Sequence, residues 1–423
     1  MSNTYERLFE HVQTLTLIDS HEHLEAWEHK REKNTDILYE YLFHYMSSDL
    51  VAAGMPYNDV QAARDVTKPL LERWKSVEPY WQLCRNTGYA RALDTTVKAL
   101  YGAERIDGDT IEGLNTAFLQ TLKPDANHYR KVLKDLSNIE YCMLDEYPDV
   151  DTNFFRPVFG IDNLYCPTSW AKMDSIEAET GIPVSTLDGW VAAVEKCLQD
   201  ALDNGMNTFK CHCAYWRPLQ FDLVTHETAQ AAYNELLTLR GRAPWNAAAF
   251  QCPKPLQDYL MHRIMRFANE HGMTAQIHTG LQEGGNNYIT NADPSPLINL
   301  FVLYPHVRFD IFHIGYPYQH MLGALAKMFP NVYLDMCWAH IISPAACVTA
   351  LDEWLDSVPV SKIIGFGGDY SIIDAVYAHQ LMARENVTKV LAKKVDEGIF
   401  NLEDAKWMAR RIFYDNPKSI YER

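Results

Sequence analysis

Potential metal ligands in this chain each follow a short apolar run. Residues 15–18 lead to His21 and His23, 206–209 to Lys210, 274–277 to His278, 309–312 to His313, and 363–366 to Asp369. An apolar run of this length reads as a strand of a parallel sheet, buried on both faces. When such strands close into a barrel, their carboxyl ends converge on one rim, where active sites are built. Residues far apart in sequence then face one centre.

The chain carries eight strand candidates, at 15–18, 139–144, 154–159, 206–210, 273–277, 308–312, 332–335 and 363–366. Amphipathic segments at 187–203, 255–271, 295–304, 318–328 and 343–357 suit helices between the later ones. Gly205, Gly272, Pro305 and Pro330 stand near several of their ends, where such residues stop a helix. This alternation predicts an α/β fold, a distorted (β/α)8 TIM barrel. An open doubly wound sheet is the alternative, and the lack of a glycine-rich phosphate fingerprint after the first strand weighs against it. Residues 1–13 read as a helix, and 402–413 and 416–421 as helices closing the outside. From about 24 to 135 there is no strong strand signal. Helical patterns at 35–53, 60–74 and 79–93, with Gly54, Pro56 and Pro79 as breaks, predict a helical insertion after strand 1. The expected organisation is one barrel domain over 1–423, insertion included.

A net charge of −17 argues against nucleic acid or an anionic membrane as main partner, but not against a small anionic substrate. Nine scattered cysteines without a CxxC pair do not form a disulfide framework, so a reducing cytoplasmic setting is expected. No apolar run approaches the ~18 residues that span a bilayer. The first residues lack a basic region followed by an apolar stretch, so no signal peptide is expected.

His21 and His23, two apart on an extended chain, point to one side and can share a divalent cation. From the pair alone, two surface or hydrogen-bonded histidines are the commoner reading. His278 and His313 each end a strand-like run and precede a glycine two residues on, Gly280 and Gly315. In successive units of a barrel they occupy equivalent positions, which favours ligands over core histidines. Asp369 follows a Gly-Phe-Gly-Gly stretch and suits a ligand and proton acceptor; a helix N-cap is its plain alternative. Lys210 is a candidate anion or carboxylate partner. Around the same rim, Tyr215, Arg217, Tyr316, Trp338, His340 and, from the insertion, His44 with Tyr45 are candidate substrate-binding residues. Arg217 suits a bidentate carboxylate clamp, and His340 a proton shuttle. His212 lies past the strand end, where no role is expected of it. The loop 282–287 is a candidate pocket wall.

Taken together, these residues resemble the amidohydrolase superfamily: His-x-His after strand one, lysine after strand four, histidines after strands five and six, aspartate after strand eight. The likeness is strongest to the amidohydrolase-related branch of barrel metal-dependent hydrolases. It is carried by Phe209-Lys-Cys-His-Cys-Ala-Tyr215, Gln276-Ile-His-Thr-Gly280, Phe312-His-Ile-Gly-Tyr-Pro317, Pro330-Asn-Val-Tyr-Leu-Asp335 and residues 362–369. A fainter similarity to uronate isomerases rests on the insertion and on Tyr41-Leu-Phe-His-Tyr45; those enzymes lack the strand-four lysine, from which Lys210 departs.

The resemblance implies that His21, His23 and Asp369 hold one metal and His278 and His313 a second, bridged by Lys210 as its carbamate. With a single metal, His278 completes the first site and His313 turns to substrate or water. Zinc is the first choice of metal, with manganese or iron also suited to these ligands. The expected activity is hydrolysis of an amide, lactone or ester in a small, carboxylate-bearing molecule. Asp369 and His313 are the expected catalytic residues. Aldose–ketose isomerisation of a uronate and non-oxidative decarboxylation are the enzymatic alternatives; a small-ligand-binding barrel without turnover is the non-enzymatic one. A homo-oligomer is compatible with this size.

Overall fold

The computed structural model describes residues 3–145, 148–240 and 251–422. Eight parallel strands follow one another in sequence order: β1 (Leu17–Glu22), β2 (Ile139–Asp145), β3 (Phe155–Gly160), β4 (Thr208–Cys211), β5 (Thr274–Ile277), β6 (Arg308–Ile311), β7 (Val332–Asp335) and β8 (Ile363–Ile364). They lie where the apolar runs predict. Every residue of β1, β4, β5, β6 and β8 is buried, which explains why these segments read as continuous rather than alternating apolar runs.

β8 is only two residues long, so the last seam is built beyond it. Ser20 N donates to Phe366 O at 3.0 Å, Asp369 N to His21 O at 2.7 Å, and His23 N to Tyr370 O at 3.0 Å. The fold is therefore a (β/α)8 barrel, and the segments that close it carry His21, His23 and Asp369. Helices pack outside. Thr186 accepts from Gly189 N at the start of Leu187–Asp203, and Asn401 from Asp404 N at the start of Leu402–Arg410. Such caps contribute ~1 kcal/mol each.

The insertion between β1 and β2 is helical: Ile37–Tyr41, Tyr45–Ala52, Tyr57–Ala63, Leu70–Cys84, Gly88–Tyr101 and Ile111–Gln120, then a π-helical turn Arg130–Leu136. All three expected helical patterns divide differently: 35–53 is interrupted at Leu42–His44 and 79–93 at Arg85–Thr87. The pattern at 60–74 is broken by a turn in which Asp65 Oδ1 accepts from Thr67 N and Oγ1. Pro79 does not break a helix but lies inside Leu70–Cys84, where Trp74, Val77, Trp81 and Cys84 form a buried stripe. Burying two indoles outweighs the one helix hydrogen bond that proline removes.

The insertion is pinned to the barrel through Asp374, in the first turn of the helix Ile373–Asp396. Its Oδ2 accepts from Tyr41 Oη at 2.8 Å and Tyr101 Oη at 2.5 Å, and Oδ1 pairs with His128 Nε2 at 2.6 Å. Burial opposes the charge, but His128, Arg31 and the Tyr101 hydroxyl outweigh it and hold the carboxyl at about 2. Asp374→Ala is expected to lower unfolding free energy by about 2–4 kcal/mol, because it strands three buried polar groups. A folded value below the ordinary 3.8 means that the carboxylate stabilises above that pH and loses its contribution as pH falls toward 2. In denaturant titrations the gap between wild type and variant should narrow over that window; a gap independent of pH would contradict the assignment.

Candidate metal centre

Four side chains at the carboxyl rim stand on backbone that L-residues seldom adopt. His44, His313, Trp338 and Asp369 have φ of 61°, 65°, 59° and 56°. The other described non-glycine residues with positive φ are Ile314, next to His313, and Asn127, Asn138 and Asn286. Asparagine tolerates that region; histidine, tryptophan and isoleucine do so at a cost of order 1–3 kcal/mol each. Strain is thus concentrated where the sequence places chemistry. The approach to Asp369 is also tight: a Cβ on Gly368 would come 1.8 Å from Glu22 Oε1, and one on Gly367 2.3 Å from Ser20 Oγ. Only glycine lets this segment lie against β1.

The rim brings the six expected ligands together. His21 Nε2 is 3.3 Å from His23 Nε2, and Asp369 Oδ1 is 3.2 Å from His23 Nε2 and 3.7 Å from His21 Nε2. On the other side, His313 Nε2 is 3.0 Å from His278 Nδ1 and 3.6 Å from Asp369 Oδ2. Lys210 Nζ lies 3.3 Å from His21 Nε2 and 3.8 Å above the Phe312 ring centre.

The outer hydrogen bonds assign the tautomers. Gln276 Nε2 donates to Ser20 O at 2.8 Å, so its Oε1 accepts from His21 Nδ1 at 3.2 Å. His313 Nδ1 donates to Cys337 O at 2.9 Å, and His278 Nε2 to Leu281 O at 3.2 Å. The inward nitrogens of all three therefore carry lone pairs. Burial, and then neighbouring cationic groups, keep His21 and His278 well below 6.5, and burial holds His313 at about 4, so the rings are neutral. Two lone pairs facing each other at 3.0 Å do not hydrogen-bond. The donor set fits a cation between them. Burial raises the Asp369 carboxyl, but the hydrogen bond with His23 outweighs it, and the group stays ionised well below the usual carboxylate range.

Candidate ligand groups among the described residues are His21, His23, Asp145 and His212, and His313, Cys337 and Asp369. Asp145, at the end of β2, Cys337 and the orienting Gln276 were not singled out from sequence. His212 was set aside, yet its Nε2 lies 3.1 Å from Asp145 Oδ2 and its Nδ1 2.8 Å from Asp162 Oδ2. Burial disfavours its charge, but the two aspartates outweigh burial and raise it to about 10. His212 is thus an imidazolium with no lone pair to offer a metal, and it supplies the positive charge that Asp145 needs.

The candidate substrate residues divide. The His44 ring lies tilted against Trp338 at 4.7 Å, Trp338 lies 5.9 Å from His313, and Tyr215 lies 4.7 Å from His278. The insertion therefore does reach the centre, with Tyr45 packed on Trp338 at 4.0 Å. Tyr215 Oη accepts from Glu283 N at 3.1 Å, which brings the loop 282–287 to the same rim. Tyr316 is half-buried, three residues past His313. Arg217 is turned away: it bonds Asp258 Oδ1 at 2.7 Å, Gln257 Oε1 at 3.0 Å and Gln220 O, and lies over Phe221. A guanidinium so engaged is no free carboxylate clamp. His340 is wholly buried, with Nε2 donating to Gly365 O at 2.9 Å and Nδ1 3.3 Å from Asn386 Nδ2, which leaves neither nitrogen for a proton shuttle.

Similarity to known proteins covers the second half of the chain by family model and nearly all of it in fold. Residues 224–423 match the amidohydrolase family model. The resemblance to the amidohydrolase superfamily holds. Over 175 residues, 40% of the chain, it is 29% identical to Protein fluG of Emericella nidulans, and this match spans 20% of that protein's length. It is 20% identical to the uronate isomerase of Thermotoga neapolitana over 468 aligned positions, covering 98% of this chain and 96% of that one. In fold it is similar to the uronate isomerase of Thermotoga maritima, with a TM-score of 0.79 and 16% identity over 100% of this chain and 98% of that one. No described helix is long and apolar enough to cross a membrane.

Gln276 offers a test of this candidate metal centre that avoids the candidate ligands themselves. Gln276→Leu removes the acceptor that orients His21. It is expected to weaken divalent-cation affinity about 10–100-fold. Zinc titration of metal-depleted protein reads this directly, and an unchanged affinity would dismiss the tautomer argument.

Proposed function

We propose that this chain is a metal-dependent hydrolase that cleaves an amide, lactone or ester bond in a small molecule. The observation that carries the reading is the placement of two imidazole pairs on opposite oxygens of one carboxylate: His23 beside Asp369 Oδ1 and His313 beside Asp369 Oδ2. That arrangement suits two cations better than one. Zinc is preferred for imidazole and carboxylate ligands. A divalent cation held there supplies a Lewis acid and lowers the pKa of water to near ~7.

The chain's own residues then do the rest. Asp369, ionised and in reach of both histidine pairs, accepts the proton of the attacking water and returns it to the leaving group. Lys210 has no carboxylate within ion-pair distance among the described residues, and its Nζ points at the His21 lone pair. As a carbamate it would present oxygen to that position in place of an ammonium. Trp338, His44 and Tyr215 wall the centre and would bind substrate.

A second reading is retained because one finding favours it: the similarity that spans nearly the whole of both chains is to a uronate isomerase. An isomerase would use one metal to orient a sugar acid.

Metal content separates the two. Two equivalents per chain are expected, falling to one in Lys210→Ala, with partial recovery on adding short carboxylic acids. One equivalent in the wild type, together with turnover of uronates and none of lactones, amides or esters, would replace the hydrolase with the isomerase. Asp369→Asn is expected to keep the fold and lose about 10²–10⁴ in turnover; full activity would remove its proton-transfer role.

A further inference from the structure

We propose that Arg64, on the helical insertion, receives the carboxylate of the substrate, so that the site selects small molecules bearing one anionic group. The inference rests on the reading above to the extent that the cleft holding Arg64 is taken as the way to the metal centre.

That cleft has a volume of about 270 Å³, and its walls include His23, Arg31, Tyr39, Arg64 and Ser371. His23 is the ligand that faces it: its side chain is 34% exposed, against 6% for Asp369 and none for His21. A molecule in the cleft therefore meets the centre at His23.

Arg64 is set as a fork with its tips free. Its Nε donates to Tyr39 O at 3.1 Å, and the guanidinium lies 4.4 Å from the Tyr39 ring centre and 4.6 Å from that of Phe43. These contacts orient the plane. The two terminal nitrogens have no hydrogen-bond or ion-pair partner among the described residues. Such a guanidinium matches a carboxylate bidentately at small cost in side-chain entropy. The other arginine of the cleft is engaged differently: Arg31 donates to Thr121 O at 2.9 Å.

The acidic residues of the cleft limit what can enter. Glu40 accepts from the Thr35 hydroxyl at 2.7 Å, Glu32 accepts from Asn34 N, and Glu25 lines the same walls. None lies within ion-pair distance of Arg64. Their charge repels a second anionic group along the ligand. The expected ligand is a monocarboxylate whose other end is neutral and reaches His23.

Binding of D-glucuronate and benzoate, each beside its primary amide, tests the assignment by calorimetry on the protein as purified, with succinate as a dianion. Each acid is expected to bind about tenfold more tightly than its amide, as a charge-assisted pair exceeds a neutral one, and succinate more weakly than benzoate. Arg64→Gln should abolish the acid preference with metal content unchanged. Arg64→Lys should keep part of it, since charge remains and the fork is lost, and this milder variant decides the matter if the glutamine variant does not fold. Equal binding of acid and amide by the wild type, no binding of either acid, or a preference that survives in both variants would overturn the proposal; the last outcome would place the carboxylate on the metal instead. Because metal is counted on the same samples, an acid preference without bound metal would sink the catalytic reading and leave the role of Arg64 standing.

Discussion

The seam between β1 and the segment after β8 is the constraint on which the rest depends. A barrel with a last strand of two residues needs other backbone to close it, and Phe366, Asp369 and Tyr370 provide it by bonding to Ser20, His21 and His23. The same hydrogen bonds bring Asp369 against both histidines. Closure of the fold and assembly of the centre are therefore one event. The close approach demands Gly367 and Gly368, and it leaves Asp369 at a positive φ. Strain of that kind persists only where surrounding structure over-determines it, and a closed sheet of buried strands does so.

Charge at the centre is arranged by burial and by outer partners together. Desolvation keeps the inward imidazoles of His21 and His313 neutral, while the hydrogen bond from His23 outweighs burial at Asp369 and keeps it ionised. One ring escapes this rule. His212 is also largely buried, yet Asp145 and Asp162 flank it and hold it protonated. Neutral rings with lone pairs inward and one imidazolium beside an aspartate make two different environments a few ångströms apart. The first suits a cation, and the second neutralises the β2 carboxylate that would otherwise compete for it.

Much of this was legible in the chain because barrel strands are buried on both faces. Apolar runs marked all eight strands, and the residue after each run gave His278, His313 and Lys210 their places. Asp145 escaped notice although it ends β2 in the same way, since a lone aspartate before the loop at 148–153 carries no spacing signal. Gln276 lies within the β5 run itself, where a polar residue reads as a break in the pattern rather than as the partner of His21. Arg217 misled for a different reason. Sequence places a guanidinium near the rim but cannot show that Asp258, one helix further on, already holds it.

The insertion was the hardest part to read, and its contacts explain why. Its helices do not answer to a periodic sheet but to particular barrel residues: Tyr41, Tyr101 and His128 to Asp374, and His44 and Tyr45 to Trp338. These contacts join residues separated by more than two hundred positions, so no local pattern announces them. Asp374 lies five residues beyond Asp369. The clamp that secures the insertion is thus continuous with the segment that closes the barrel. The carboxylate that holds the insertion and the one that faces the histidines thus stand on one stretch of chain, which ties the cleft to the candidate centre.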